Sequence, residues 1–63
     1  MTELRLCAVT VRPGDRVQVQ GQWRQMLSSR MDRFPSGGSA VVLVFTAGHA
    51  LRVPASQEMA ISR

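Results

Sequence analysis

The residues that could do acid–base or nucleophilic chemistry are few and widely spaced in this 63-residue chain. They are His49, Cys7 and four carboxylates at Glu3, Asp15, Asp32 and Glu58. A catalytic histidine needs a nucleophile and an orienting group beside it, and this spacing supplies neither. One His and one Cys also do not complete a structural zinc site. We therefore expect no enzyme, metal or cofactor, with His49 exposed in a turn and Cys7 as a packed small side chain.

Positive charge is the more informative chemical feature. The net charge is +4, and every basic residue is an arginine. The guanidinium fork matches the oxygens of a phosphate, so an arginine excess suits contact with nucleic acid. The arginines are scattered rather than clustered, so plain solvated charge is the competing interpretation. The candidate phosphate contacts are Arg12, Arg16, Arg24, Arg30 and Arg33.

Trp23 is the single tryptophan, and three roles are open to it. With Gln22, Arg24 and Gln25 around it, it could stack on a nucleic-acid base. It could instead anchor a protein interface, where Trp and Arg are enriched, or fill the hydrophobic core. Phe34 is the second candidate for stacking.

Turn signals and alternating side chains predict the elements that position these residues. Pro13-Gly14-Asp15 forms a corner, Phe34 to Ser39 a loop, and Gly48 a tight turn. Between them, period-two alternation indicates short strands, and the continuous apolar run over 40–45 indicates a central strand that is buried on both faces. The predicted strands are 3–11 with a bend near Ala8, 16–20, 40–45, 50–53 and 58–62.

Residues 22–33 fit two structures. Trp23, Met26, Leu27, Met31 and Phe34 form a helical stripe. Gly21, however, follows an alternating strand as a hairpin turn would, and a sheet this small needs a further strand. We favour a long, bent third strand and keep a helix at 22–33, in an α+β fold, as the alternative.

The stretch Gly14-Asp15-Arg16-Val17-Gln18-Val19-Gln20-Gly21 resembles the opening of SH3-like barrels of the KOW type. The chain is also similar to short uncharacterised β proteins of high-GC bacteria. The later glycines of the KOW pattern are absent from Trp23 to Ser29. The resemblance therefore implies the fold and does not bring the RNA-binding role with it.

Together these patterns predict one all-β domain over residues 1–63, a five- to six-stranded SH3-like barrel. A core this small gains from self-association, so we expect a homo-oligomer such as a homodimer. The lone cysteine and the absence of a leader or a long apolar run favour a cytoplasmic protein without a membrane partner. The leading hypothesis is an accessory module that contacts DNA or RNA through the candidate arginines, Trp23 and Phe34. The alternative is a protein-interaction or self-assembling module.

Overall fold

The Gln20–Gly21 pair determines how the middle of the chain is paired. Both residues have positive φ, at 50° and 78°, the combination that a two-residue type I′ hairpin requires. In the computed structural model, which describes residues 2–63, Val19 pairs with Gln22 directly across this turn. The turn therefore sends the following segment back along the preceding strand.

Six strands and one short 3₁₀ helix make up the described chain. In chain order they are β1 (Glu3–Cys7), the 3₁₀ helix (Ala8–Thr10), β2 (Arg16–Val19), β3 (Gln22–Arg33), β4 (Ser39–Phe45), β5 (Leu51–Pro54) and β6 (Glu58–Ser62). The strands form one antiparallel sheet in the order β1-β6-β2-β3-β4-β5. The prediction of a small all-β fold is confirmed.

β3 changes its partner half-way along. Its first part, 22–25, pairs with β2, and its second part, 26–33, pairs with β4. The register shifts between Met26 and Ser28, and a bulge of this kind bends a strand and changes which side chains face the core. The backbone of Met26 also bonds to Gly14 and Asp15, at 2.9 and 2.8 Å. The Pro-Gly-Asp corner is thereby attached to the bend.

Backbone hydrogen bonds bring the two ends of the sheet together. The Ala8 amide donates to the Gln57 carbonyl at 2.8 Å, and the Val9 amide donates to the Ala55 carbonyl at 3.2 Å. The Ala55 amide in turn donates to the Ser39 carbonyl at 3.1 Å. The sheet thus encloses one core, formed by Ala8, Val11, Val17, Met26, Val41, Leu43, Phe45 and Ile61.

The helical alternative for residues 22–33 is wrong. Of the apolar stripe that favoured it, Met26 is buried, whereas Trp23, Leu27 and Met31 are 42%, 58% and 60% exposed. The hairpin at Gln20–Gly21 pairs the start of this segment with β2, and that pairing overrides the helical periodicity. The long, bent third strand is the observed structure.

The first strand is shorter than predicted, and Cys7 is not packed. β1 ends at Cys7, and the predicted bend near Ala8 takes the form of the 3₁₀ helix. Leu4 and Leu6 pack against the core, so alternation turns Cys7 to the other side of the strand. Its side chain is exposed, which contradicts the expectation of a packed residue.

Asp15 is the buried carboxylate of the corner, at 7% exposure. Its Oδ2 accepts the Arg12 amide at 2.9 Å, the turn role that the sequence indicates. Both carboxylate oxygens also accept Nε of Arg63, at 3.2 Å. Asp15 therefore joins the corner to the C-terminal end of the chain.

We predict that Asp15→Ala lowers the free energy of unfolding by about 2 kcal/mol, because it leaves a part-buried amide and a guanidinium without their acceptor. The matched control is Glu58→Ala, which removes the exposed ion pair between Arg5 and Glu58 and should change stability little. Urea unfolding followed by circular dichroism measures both. Equal losses in the two variants would contradict the role given to Asp15.

Candidate functional site

A groove of about 660 Å³ lies between the β2–β3 hairpin and the loop that joins β4 to β5. We call it the Trp23 groove. Its lining residues are Val19, Gln20, Gln22, Trp23, Arg24, Gln25, Thr46, Ala47, Gly48, His49, Ala50 and Leu51. It therefore combines one aromatic ring, three glutamines, a histidine and an arginine within two neighbouring segments.

The groove exists because the pairing of β4 with β3 ends at the bend. Their last backbone bond on this side runs from the Thr46 amide to the Gln25 carbonyl, at 3.0 Å. Beyond it, residues 46–50 form a loop instead of a strand. In an antiparallel ladder alternate residues direct their backbone groups to the same side. The amide and carbonyl of Trp23 therefore face the groove, as those of Gln25 do.

Arg24 holds the loop at a fixed distance from β3. Its Nη2 donates to the carbonyls of Ala47 and His49, at 2.7 and 3.0 Å. Its guanidinium carbon also lies 4.2 Å from the centre of the Phe45 ring, a cation–π contact. We call these three contacts the Arg24 clamp. They give Arg24 a structural role at the groove, while its positive charge remains there.

Gly48 is the residue that makes room for the Arg24 clamp. Its φ is +85°, and a Cβ at this position would overlap Nη2 of Arg24. The positive φ predicted for Gly48 is therefore confirmed, but the predicted tight turn is a five-residue loop over residues 46–50. Glycine is favoured at position 48 for a second reason besides backbone conformation. The absence of a side chain lets the guanidinium lie against the loop.

Trp23 lies on the solvent side of the sheet. It pairs with Gln18, whereas the neighbouring pair places Arg24 opposite Val17, which is fully buried. Successive residues of a strand point to opposite faces, so the indole is directed away from the core. Its 42% exposure excludes the role of core filler.

The charges around the groove are of one sign. Among the residues that the structure describes, none of the groove-lining side chains is acidic. Three of the carboxylates are paired elsewhere, in Arg5–Glu58, Arg52–Asp32 and Arg63–Asp15. In the first pair, the hydrogen bond that Arg5 Nε donates to Glu58 raises the pKa of Arg5. The net positive charge of the chain is therefore carried by the other arginines, at positions 12, 16, 24, 30 and 33.

The structure separates the other predicted contact residues. The corner that carries Arg12 is hydrogen-bonded to Met26. Arg33, which precedes the glycine loop, lies seven residues further along β3, a distance of about 23 Å at about 3.3 Å per residue. The neighbouring residue Met31 pairs with Val41 of the core cluster, so alternation turns the exposed Arg30 to the other side, with Arg16 and Trp23. Arg33 is three residues further along β3 than Arg30, so its side chain points to the opposite face of the strand. Phe34 is half-buried at the hairpin end.

Several groove residues were missed by the sequence analysis. His49 was expected to be an exposed turn residue, and it is exposed, but its place beside Trp23 was not predicted. Gln20 and Leu51 were likewise given no role in a site. The turn signals at Gly21 and Gly48 were visible, and a sheet that brings these two turns together would have indicated the groove.

Residues 2–63 lack two kinds of feature, a membrane-spanning helix and a metal-binding cluster. This part of the chain contains no helix long and apolar enough to cross a bilayer. It also holds no cluster of three or more His, Cys, Asp or Glu side chains that could bind a metal ion.

Comparison with known proteins adds no family. No protein-family model, no curated protein and no solved structure matches the chain. The resemblance to SH3-like barrels of the KOW type thus stays a prediction.

We predict that Gly48→Ala destabilises the protein more than Gly37→Ala does. Both glycines have positive φ, but a Cβ at Gly37 meets no atom within 4 Å. The Gly37 variant should lose about 1 kcal/mol from backbone strain. The Gly48 variant should lose about another 1 kcal/mol because the Arg24 clamp is displaced.

Thermal unfolding of the two variants provides the measurement, and Trp23 fluorescence reports on the groove. The emission maximum should move in the Gly48 variant and stay unchanged in the Gly37 variant. Identical behaviour of the two variants would contradict the Arg24 clamp.

Proposed function

We propose that this protein is a non-enzymatic module that binds single-stranded nucleic acid at the Trp23 groove. The observation that carries the proposal is an exposed tryptophan on a groove without acidic side chains. An indole in that setting offers a flat apolar surface to a base, and the surrounding potential favours phosphate. The role is that of an accessory or regulatory binding protein.

Stacking on Trp23 would supply the larger contact energy. A base stacked on an aromatic side chain contributes about 1–3 kcal/mol, and every base has a face that can stack. The amide groups of Gln20, Gln22 and Gln25 line the same groove and can both donate and accept hydrogen bonds. They can therefore contact base edges or sugar hydroxyls without imposing a strict sequence.

Arginines on the solvent side of the sheet would hold the phosphates. Arg16 lies two residue pairs from the Gln18–Trp23 pair, on the same face of the sheet, and Arg30 continues the same side beyond the bend. The charge of Arg24 adds to the potential at the groove although its Nη2 is occupied. Neutralisation of phosphates by these groups releases counterions, so binding should weaken as salt rises.

The proposal favours single strands over duplexes. In a duplex the base faces are covered by stacking, whereas a single strand can present them to an aromatic side chain. A groove of about 660 Å³ beside one exposed indole suits a splayed base. We therefore expect a single strand of either DNA or RNA to bind more tightly than a duplex of the same length.

The first test is a titration of a dye-labelled oligonucleotide of about eight nucleotides, followed by fluorescence anisotropy. Trp23→Ala should weaken binding by about 1–3 kcal/mol through loss of stacking. The matched control is Leu27→Ala, which removes another exposed apolar side chain of β3 outside the groove. Equal affinities of wild type and Trp23→Ala would contradict the proposal, as would no binding at low salt.

A second prediction separates the two sides of β3. Arg30→Ala should weaken binding and reduce the slope of log affinity against log salt concentration by about one, because Arg30 lies on the side of Trp23. Arg33→Ala removes the same charge from the other side and should have the smaller effect. The measurement is the affinity between about 50 and 200 mM salt. A larger effect at Arg33 would contradict this placement of the strand.

The protein-interaction alternative has an observation of its own. Leu27 and Met31 are 58% and 60% exposed and lie outside the Trp23 groove. Exposed apolar side chains on a strand are typical of contact surfaces between chains.

A further inference from the structure

The second half of β3 has one unpaired edge. Residues 28–33 pair with β4 on one side, whereas β2 pairs only with residues 22–25 on the other. The corner covers that other side at Met26, and within residues 2–63 no strand pairs with it further along. We call this side of residues 28–33 the free edge.

The alternation of the ladder shows which backbone groups the free edge presents. The Phe34 amide donates to the Gly38 carbonyl across the hairpin, so even-numbered residues of this half direct their backbone groups towards β4. The odd-numbered residues Ser29, Met31 and Arg33 direct theirs outward. An edge of this kind can accept another strand.

The side chains of the free edge follow a self-complementary order. Arg30, Met31 and Asp32 are consecutive, and an antiparallel copy centred on Met31 would place each Arg30 opposite Asp32 of the partner subunit. The same arrangement places the two Met31 side chains opposite each other. Opposite charges directly across a strand pair are favourable.

We propose that the free edge pairs with the free edge of a second copy, antiparallel and centred on Met31. A two-fold interface repeats each contact, since residue i meets j and j meets i. One rotation therefore forms two Arg30–Asp32 ion pairs, one Met31–Met31 contact and a continuous backbone ladder. The sheets of the two copies become one.

The charged side chains at the free edge support a second copy of the chain as the partner. Arg30 has no carboxylate partner within residues 2–63, where the ion pairs involve Arg5, Arg52 and Arg63. Asp32 Oδ2 binds Arg52 at 2.9 Å, and Asp32 Oδ1 accepts the Arg33 amide at 2.8 Å. In the dimer that amide would donate to Ser29 of the partner subunit, which releases Oδ1 for Arg30 of the partner subunit.

The first test is the molar mass of the wild-type chain by sedimentation equilibrium. Wild type should be a dimer, and Met31→Lys should be a monomer because it places two ammonium groups opposite each other. The matched control is Val9→Lys, which changes a 50% exposed valine away from the free edge and should remain a dimer. Circular dichroism verifies that each variant is folded.

The second test addresses the register. Arg30→Asp should weaken the dimer roughly tenfold, since it places like charges opposite each other twice. Asp32→Arg should do the same. The double variant with both changes restores opposite charges in this register, so its dissociation constant should return to near the wild-type value. Arg52 lies in the same row as Arg30 across Val42 and can pair with the relocated acid.

A monomeric wild type, a dimeric Met31→Lys variant, or a double variant no better than the single ones would overturn the proposal. None of these measurements involves nucleic acid, and Trp23 lies outside the free edge, so the dimer and stacking on Trp23 are tested independently. Arg30 belongs to both proposals, so the affinities of wild type and Arg30→Ala for nucleic acid are compared at a protein concentration at which sedimentation shows both in the same oligomeric state.

Discussion

The fold depends on the buried bend of β3 at Met26. This side chain is 1% exposed, and its backbone is the point at which β3 leaves β2 and begins to pair with β4. Because each half of β3 has its partner on a different side, each half also has an uncovered side. The Trp23 groove lies beside the first half and the free edge beside the second. Both candidate surfaces are thus consequences of one bulge.

The arginines of this chain serve two physical purposes. Arg5, Arg52 and Arg63 pair with carboxylates, and Arg24 satisfies two loop carbonyls and covers an aromatic ring. Half of the eight arginines are therefore held in contacts that stabilise the fold. Of the other arginines, Arg16 and Arg30 lie on the solvent side of β2 and β3, whereas Arg12 lies in the corner and Arg33 on the opposite side of β3. The proposed binding side is the one that carries Arg16, Arg30 and Trp23.

Local patterns predicted much of the fold, because turns and strands depend on near neighbours. Gly21 indicated the hairpin turn correctly, and Gly48 indicated a reversal of the chain that is a loop instead of a tight turn. Alternation and one continuous apolar run identified the strands around them. The periodicity of residues 22–33 was misleading, since pairing with β2 decided the structure. The exposure of Trp23 and Cys7 and the partners of Arg24 depend on register between distant segments, which one sequence does not reveal. The candidate site was accordingly predicted as residue types, without their arrangement.

Binding at the Trp23 groove is tested most directly by an amide NMR titration of the wild-type protein with a short oligothymidylate at low salt. The largest shifts should occur at the indole Nε1–H of Trp23 and at the amides of residues 46–50, because these groups share the groove. Shifts confined to residues 28–33, or spread evenly over all exposed amides, would contradict binding at the Trp23 groove.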